Sequence, residues 1–160
     1  MRIAVFPGSF DPITNGHLDL MMRAGQLFDQ VIIAVANNER KLPLFTLSER
    51  VALIEAEIQS YPNIIVKGFA DLLADFAVRH KASAVIRGLR AVSDFEYEFQ
   101  LANMNRHLMP TVETLFLSPA LEYSFLSSSL VKEVTRFGGD VSAFVPRAVQ
   151  EALSRKFRDS

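Results

Sequence analysis

The residues of this chain best suited to chemistry lie in one short run, Phe6-Pro7-Gly8-Ser9-Phe10-Asp11-Pro12-Ile13-Thr14-Asn15-Gly16-His17. The run follows an apolar strand segment and leads into an amphipathic stretch, so a glycine-bearing turn feeds the start of a predicted helix. Free backbone N–H groups and the positive end of the helix dipole at such a start favour an anion such as phosphate. His17, in the first turn, stands against the same positive end, which disfavours its protonated form and leaves a neutral hydrogen-bond donor at neutral pH. That pattern is the ground plan of a nucleotidyl-transfer site. Two plainer readings stay open: a rigid strand-to-helix connection in which Ser9 satisfies local backbone, and a partly buried His17 that caps the helix start.

Three further constellations end on polar residues after apolar segments. Asn37-Asn38-Glu39-Arg40-Lys41-Leu42-Pro43 carries two adjacent cations, and lysine is a compact charge suited to phosphate, although a solvated charge cluster reads equally. Arg87-Gly88-Leu89-Arg90 places two guanidinium groups on either side of a glycine turn, where an arginine ending an apolar strand needs an anion. Structural ion pairs are the alternative, and the helix that follows carries Glu98 and Asn105 at spacings that reach into a pocket. Tyr123-Ser124-Phe125-Leu126-Ser127-Ser128-Ser129 ends in a serine triplet, a second cradle of hydroxyls and free N–H groups that exceeds what one N-cap requires.

The elements that must position these groups alternate along the chain. Predicted strands are Ile3–Phe6, Gln30–Ala36, Asn63–Lys67, Ala84–Arg87 and Thr114–Leu117. Predicted helices are Gly16–Phe28, Leu47–Ser60, Leu72–Lys81, Asp94–Leu108, Ser128–Phe137 and Arg147–Phe157. Thr46 with Glu49 and Ser93 with Glu96 fit capping boxes, Asp71 suits an N-cap, Pro146 suits a first turn, and Gly138-Gly139 reads as a stop. Strands that are apolar almost throughout suit a parallel sheet covered on both faces. Their alternation with helices implies right-handed crossovers and a single-domain, doubly wound α/β fold with a five-stranded parallel sheet. In such a fold ligands bind beyond the carboxyl ends of the strands, where all four constellations stand.

Composition narrows the field. With 160 residues the chain is long enough for one full core and too short for two ordinary ones. The net charge of −1 gives no general attraction to nucleic acid or an anionic membrane. No cysteine is present, which excludes disulfides, thiolate catalysis and thiolate–zinc sites. The motifs of P-loop NTPases and dinucleotide-binding folds are missing, as are a Ser-His-Asp set and metal-ligand spacings, and His80 and His107 read as structural. The N-terminus loses its apolar character too early for a signal peptide and no window approaches a membrane span, so a soluble, cytoplasmic protein is expected. The apolar share of 49%, with 13 phenylalanines, suggests surface buried between subunits or else a large core.

Thr14-Asn15-Gly16-His17, Arg87-Gly88-Leu89-Arg90 and Leu126-Ser127-Ser128-Ser129-Leu130-Val131-Lys132 resemble the [HT]-x-G-H nucleotidyltransferases. With Phe45-Thr46-Leu47-Ser48-Glu49-Arg50 and Asp94-Phe95-Glu96-Tyr97-Glu98, the chain resembles, from first strand to last helix, the bacterial phosphopantetheine adenylyltransferase family. The resemblance implies transfer of the adenylyl group of ATP to 4′-phosphopantetheine, with Mg2+, giving 3′-dephospho-coenzyme A and pyrophosphate. It implies catalytic roles for His17, Lys41 and Arg90, with His17 stabilising the transition state at the α-phosphate. ATP would be bound by Ser9, Phe10, His17, Gly88, Leu89, Arg90, Glu98 and the stretch Tyr123, Ser124, Phe125, Leu126, Ser127, Ser128 and Ser129. The acceptor would meet Ser9, Lys41, Leu73 and Arg87. No protein metal ligands are implied, a homohexamer is, and coenzyme A as a feedback inhibitor is left open. Two positions depart from the commoner family pattern, Ser9 for Thr and Tyr123 for Trp. The alternatives are a related enzyme that adenylates nicotinate mononucleotide or transfers cytidylyl to glycerol phosphate, and a non-catalytic nucleotide sensor. Thr14 and the serine triplet weigh against the first, and His17 against the second.

Overall fold

The computed structural model describes residues 1–158, the side chains of Glu39, Val92 and Ser93 excepted. Five strands form one parallel sheet: β1 (Ile3–Gly8), β2 (Gln30–Ala36), β3 (Ile64–Phe69), β4 (Ala84–Gly88) and β5 (Glu113–Leu117). Their order is β3-β2-β1-β4-β5, so the chain winds outward from β1 in one direction, then returns to lay β4 on its other side. The crevice between the carboxyl ends of β1 and β4 is therefore the topological switch point, where doubly wound folds bind ligands.

The helices are α1 (Asn15–Leu27), α2 (Leu47–Glu57), α3 (Leu73–Arg79), α4 (Val92–Leu108), α5 (Ser128–Arg136) and α6 (Arg147–Arg158). Successive strand residues face opposite sides, and both sides are apolar. Ala4, Phe6, Val31, Ile33, Val35 and Ile86 pack with Met21, Ile54, Val131, Val149 and Leu153 of α1, α2, α5 and α6. Val5, Ile32, Ala34 and Val85 pack on the other face with Ala74, Phe76 and Ala77 of α3 and with Met109 and Val112. This two-faced burial is why the strands read as continuous apolar runs.

Several local expectations shift. Strand β1 runs on to Gly8 and β3 to Phe69, because parallel pairing with β2 continues through Gly8–Val35 and Phe69–Ala36. Helix α2 stops at Glu57 rather than Ser60, since Pro62 disfavours helical backbone at Tyr61 and the chain turns instead, Tyr61 N–H to Ile58 C=O. Asp71 does not cap α3, whose N-cap is Leu72; its carboxylate accepts from Arg79 Nη1 at 2.8 Å. Helix α4 begins earlier than expected, with Ala91 at its N-cap, which puts Ser93 inside the first turn; its side chain lies outside those described. The Thr46–Glu49 capping box forms. Gly138, at φ 81°, ends α5 with Gly138 N–H on Thr135 C=O and Gly139 N–H on Val134 C=O, a Schellman pair.

Candidate active site at the switch point

The turn after β1 folds sharply back on itself. Phe10 takes a left-handed conformation, φ 48°, which an aromatic residue adopts only where its surroundings enforce it. Its ring then covers Gly8 so closely that a Cβ there would stand 3.0 Å from it. Thr14, with extended backbone, caps α1: its Oγ1 accepts the His17 N–H at 3.3 Å, and the His17 ring reaches back so that Nδ1 accepts the Thr14 N–H at 3.0 Å. A histidine thus fills the role glutamate plays in an ordinary capping box. The consequence is chemical. A backbone N–H can only donate, so Nδ1 must offer its lone pair, and the neutral ring carries its proton on Nε2. Burial, and secondarily the positive charge of Arg90, lowers the His17 pKa to about 4. The edge of the Phe10 ring system holds the imidazole at 5.0 Å and 78°. His17 is therefore a fixed, neutral Nε2–H donor on the cavity wall.

The end of β4 supplies the opposite wall. Arg87 meets Glu98 of α4 in a two-pronged pair, Nε to Oε2 and Nη2 to Oε1, each 2.8 Å. Arg90 pairs with Asp94 through Nε at 3.0 Å and Nη2 at 3.2 Å, while its Nη1 donates to Leu126 C=O at 3.0 Å. The ion-pair alternative left open by the sequence is realised, since each arginine is paired with a carboxylate of α4, and both also line the cavity. Gly88 lies so close to α1 that a Cβ would come within 2.8 Å of Leu20. At the start of α5, Ser127 Oγ accepts the Leu130 N–H, and Ser128 Oγ donates to Pro12 C=O at 2.7 Å, tying this helix to the β1 turn.

Two adjoining cavities result. The first, about 260 Å³, is lined by Ser9, Phe10, His17, Arg87, Gly88, Arg90, Tyr123, Leu126, Ser127 and Ser128 among the expected residues. The second, about 270 Å³, shares Ser9 and Ser128 with it and adds Lys41 and Ser129. The remaining expected residues line neither. Leu73 packs against the core beneath α3, and Leu89 N–H bonds Leu117 C=O. Glu98 holds Arg87 from behind, Ser124 follows the 3₁₀ turn Leu121–Tyr123, and the half-exposed Phe125 ring meets Phe144. Asn105 is buried in α4, away from both cavities.

Four residues with no site role assigned from the sequence hold this rim together. Thr14 is the partner that sets the His17 tautomer. Asp11, buried, accepts from the Leu44 and Phe45 N–H groups, both at 2.9 Å, and from Lys132 Nζ at 3.0 Å. Arg50, buried on the inner face of α2, donates to three backbone carbonyls. The available signal for Arg50 was its place one helical turn before Ile54, a cation on an otherwise apolar stripe. Asp11 and Lys132 gave no spacing signal, because the contact joins residues far apart in sequence.

Among the described residues no three His, Asp or Glu side chains gather as a metal-ligand set, and no helix is long and apolar enough to cross a membrane. Known structures share the architecture. A candidate nicotinate-nucleotide adenylyltransferase from Vibrio parahaemolyticus superposes over 100% of this chain and 98% of its own, with TM-score 0.73 and 18% identity. A bifunctional NMN adenylyltransferase/ADP-ribose pyrophosphatase from Francisella tularensis, complexed with AMP and a manganese ion, matches 99% of this chain with TM-score 0.71 and 16% identity. This chain spans 49% of that larger protein. At these identities the likeness is one of fold. The profile of the cytidylyltransferase-like family matches residues 5–134, from within β1 to within α5, and takes in both sides of the switch-point crevice. The chain belongs to the cytidylyltransferase-like family.

Proposed function

We propose that this chain, as one nucleotidyltransferase unit over residues 1–160, transfers the adenylyl group of ATP to 4′-phosphopantetheine. An oxygen of the acceptor phosphate bonds to the α-phosphorus while the bond to the α,β-bridging oxygen breaks, and pyrophosphate leaves with that oxygen. The observation that carries the proposal is the Thr14–His17 box, which fixes a neutral Nε2–H donor on a cavity walled by Arg87, Arg90 and the α5 start. A phosphate monoester is already a competent nucleophile, so the site needs no strong base. What it needs is in-line placement and stabilisation of charge gathering on the α-phosphate. His17 supplies a donor there without bringing a third positive charge into a crevice that two arginines already hold.

In this reading ATP occupies the first cavity, against Ser9, Phe10, Gly88, Arg90, Tyr123, Leu126, Ser127 and Ser128, with Leu89, Ser124, Phe125 and Ser129 assigned to ATP on the resemblance alone. The acceptor phosphate lies in the second, which Lys41 and Ser9 line; Arg87, on the wall of the first cavity, and Leu73, packed against the core, are assigned to the acceptor on the resemblance alone. Glu98 acts through Arg87, since both of its oxygens are engaged by that guanidinium. Magnesium would enter with the triphosphate, as Mg–ATP, because it binds readily to phosphate oxygens and water and the described side chains form no cage of their own. The pantetheine acceptor and a cytoplasmic homohexamer are supported by the family resemblance of the motifs; apolar residues left uncovered on α4 add to the case for assembly.

The deciding experiment measures pyrophosphate release from ATP and Mg2+ with 4′-phosphopantetheine, beside nicotinate mononucleotide and, with CTP, glycerol 3-phosphate. Release with phosphopantetheine alone is expected. Turnover of nicotinate mononucleotide instead, the acceptor named for the Vibrio protein, would keep the His17 chemistry and move the error to Lys41, Leu73 and Arg87. Nucleotide binding without turnover of any acceptor would mean a sensor.

A further inference from the structure

Arg50 is 2% exposed, yet among the described residues no carboxylate pairs with it. A guanidinium buried without a counter-charge is costly unless hydrogen bonds to its donors offset the burial. Here three of its five N–H groups are used: Nε donates to Phe45 C=O at 3.1 Å, and Nη1 to both Ser9 C=O at 2.8 Å and Ala36 C=O at 2.9 Å. The three carbonyls belong to three separate segments: the β1 turn, the end of β2 and the entry to α2. Ala36 and Phe45 are the two ends of the loop that carries Lys41, so a single planar group closes that loop at its base.

The Ser9 contact reaches further. Across a planar trans peptide the C=O and the following N–H point in opposite directions. With the Ser9 carbonyl turned onto Arg50, the Phe10 N–H is turned away from it, and among the described residues no acceptor meets that N–H. The same residue that holds the Lys41 loop therefore also aims a backbone donor of the phosphate-seeking turn. Arg50 itself borders the second cavity beside Lys41, Lys132 and Ser129.

The geometry points to Arg50 as a positioning residue, which sets the spacing between the Ser9–Phe10 turn and the Lys41 loop and so shapes the acceptor-phosphate end of the site. This rests on the proposed adenylyl transfer for its kinetic expression, but its structural content stands apart from it. A lysine at this position keeps the charge and cannot span three carbonyls with a rigid fork.

The test compares Arg50→Lys with Ile54→Ala, one turn along the same helix, which loosens the core without touching any of the three carbonyls. Both should melt earlier. Arg50→Lys is expected to raise KM for phosphopantetheine about tenfold or more and lower kcat about tenfold, with KM for ATP changed less than about threefold, as for a reacting group misplaced by a fraction of an ångström. Deuterium uptake over residues 37–45 should rise in Arg50→Lys and stay at the wild-type level in Ile54→Ala, both well below their melting temperatures. Equal kinetics in the two variants, or unchanged uptake over 37–45 in Arg50→Lys, would overturn the assignment and leave Arg50 a core residue only. Were wild-type protein inactive with phosphopantetheine, the functional reading would fail while the exchange comparison still decided the positioning role.

Discussion

Helices α1 and α4 serve the same cavity in different ways, α1 by lining it and α4 through Glu98, which holds Arg87 from behind, and the two are built in opposite ways. Helix α1 turns Leu18, Leu20, Met21 and Ala24 inward and satisfies its own N-terminus with the Thr14–His17 box. Helix α4 buries Glu98 and Asn105 and leaves Phe95, Tyr97, Phe99, Met104 and Leu108 at least 44% exposed. Among the described side chains none caps its N-terminus. One helix is finished by its own chain. The other places two polar residues inside, where Glu98 pairs with Arg87, and leaves five large apolar residues on its exposed face. In the proposed hexamer a second copy covers that face, and the site then depends on assembly through α4 but not through α1.

The largest effect should come from α1. His17→Ala is expected to lower kcat by about 10²–10³ or more with ATP affinity nearly unchanged, as for loss of a donor used only in the transition state. Single-turnover pyrophosphate release with separate nucleotide titrations would show it; near-wild-type turnover would remove His17 from the chemistry. The pH dependence sharpens the point. Because the folded pKa is lowered to about 4 from an unfolded 6.5, the functional neutral form persists to well below pH 6, and the acid limb due to His17 should fall near pH 4. Stability runs the same way. The His17 contribution is whole above pH 6.5, where both states are neutral, and is lost as pH falls toward 4, because only the unfolded chain takes up the proton in that window. A His17→Gln variant should therefore show a shallower fall in melting temperature between pH 6.5 and 4 than wild type.

Next in size is the Arg87–Glu98 pair. Arg87→Ala is expected to raise KM for phosphopantetheine while leaving KM for ATP close to wild type. It also strands a carboxylate in a nearly buried position, so a stability loss of about 3–5 kcal/mol accompanies it. The double variant Arg87→Met, Glu98→Leu should recover much of that stability and none of the acceptor affinity. Recovery of both would show that the pair serves packing alone.

How much of this was legible follows the same contrast. The two-faced strands, the glycine turns and the Thr46–Glu49 box could be read because each depends on neighbours within a few residues. His17 stood out for the same reason, and its partner Thr14 lies three residues before it. Glu98 could be placed near the site but not assigned to Arg87, since eleven residues and a turn separate them and only the fold sets their distance. Asp11 with Lys132, and Arg50 with Ser9, are contacts across 121 and 41 residues, which no periodicity records. Ser93 is not the N-cap because the chain already enters helix at Val92, with Ala91 before it, a boundary that no local cap residue marks.

Methionines offer a direct comparison of the two helices. Met21 of α1 is fully buried and Met104 of α4 is 57% exposed. Met21→Ala should cost about 2–5 kcal/mol by leaving a cavity, whatever the oligomeric state. Met104→Glu should leave the fold of a single chain intact and instead lower the mass measured by light scattering, with thermal stability now independent of protein concentration. A Met104→Glu protein of unchanged mass would mean that α4 meets no second copy on this face.

The smallest change finishes what α4 lacks. Ala91 has φ −150° and ψ 170°, extended backbone that suits an N-cap, and the Asp94 N–H three residues on already points to its carbonyl at 3.1 Å. A serine hydroxyl there can accept from that first turn, as Thr14 does for α1, and a good cap in place of alanine stabilises by about 0.5–2 kcal/mol. For a domain of this size Ala91→Ser should therefore raise the melting temperature by a few degrees, roughly 2–4 °C per kcal/mol. Turnover should stay at the wild-type level, because the Arg90–Asp94 pair that holds the loop is untouched. A fall in kcat with the gain in stability would show instead that the uncapped start of α4 moves during the reaction, and that its looseness, like its bare outer face, belongs to how the site works.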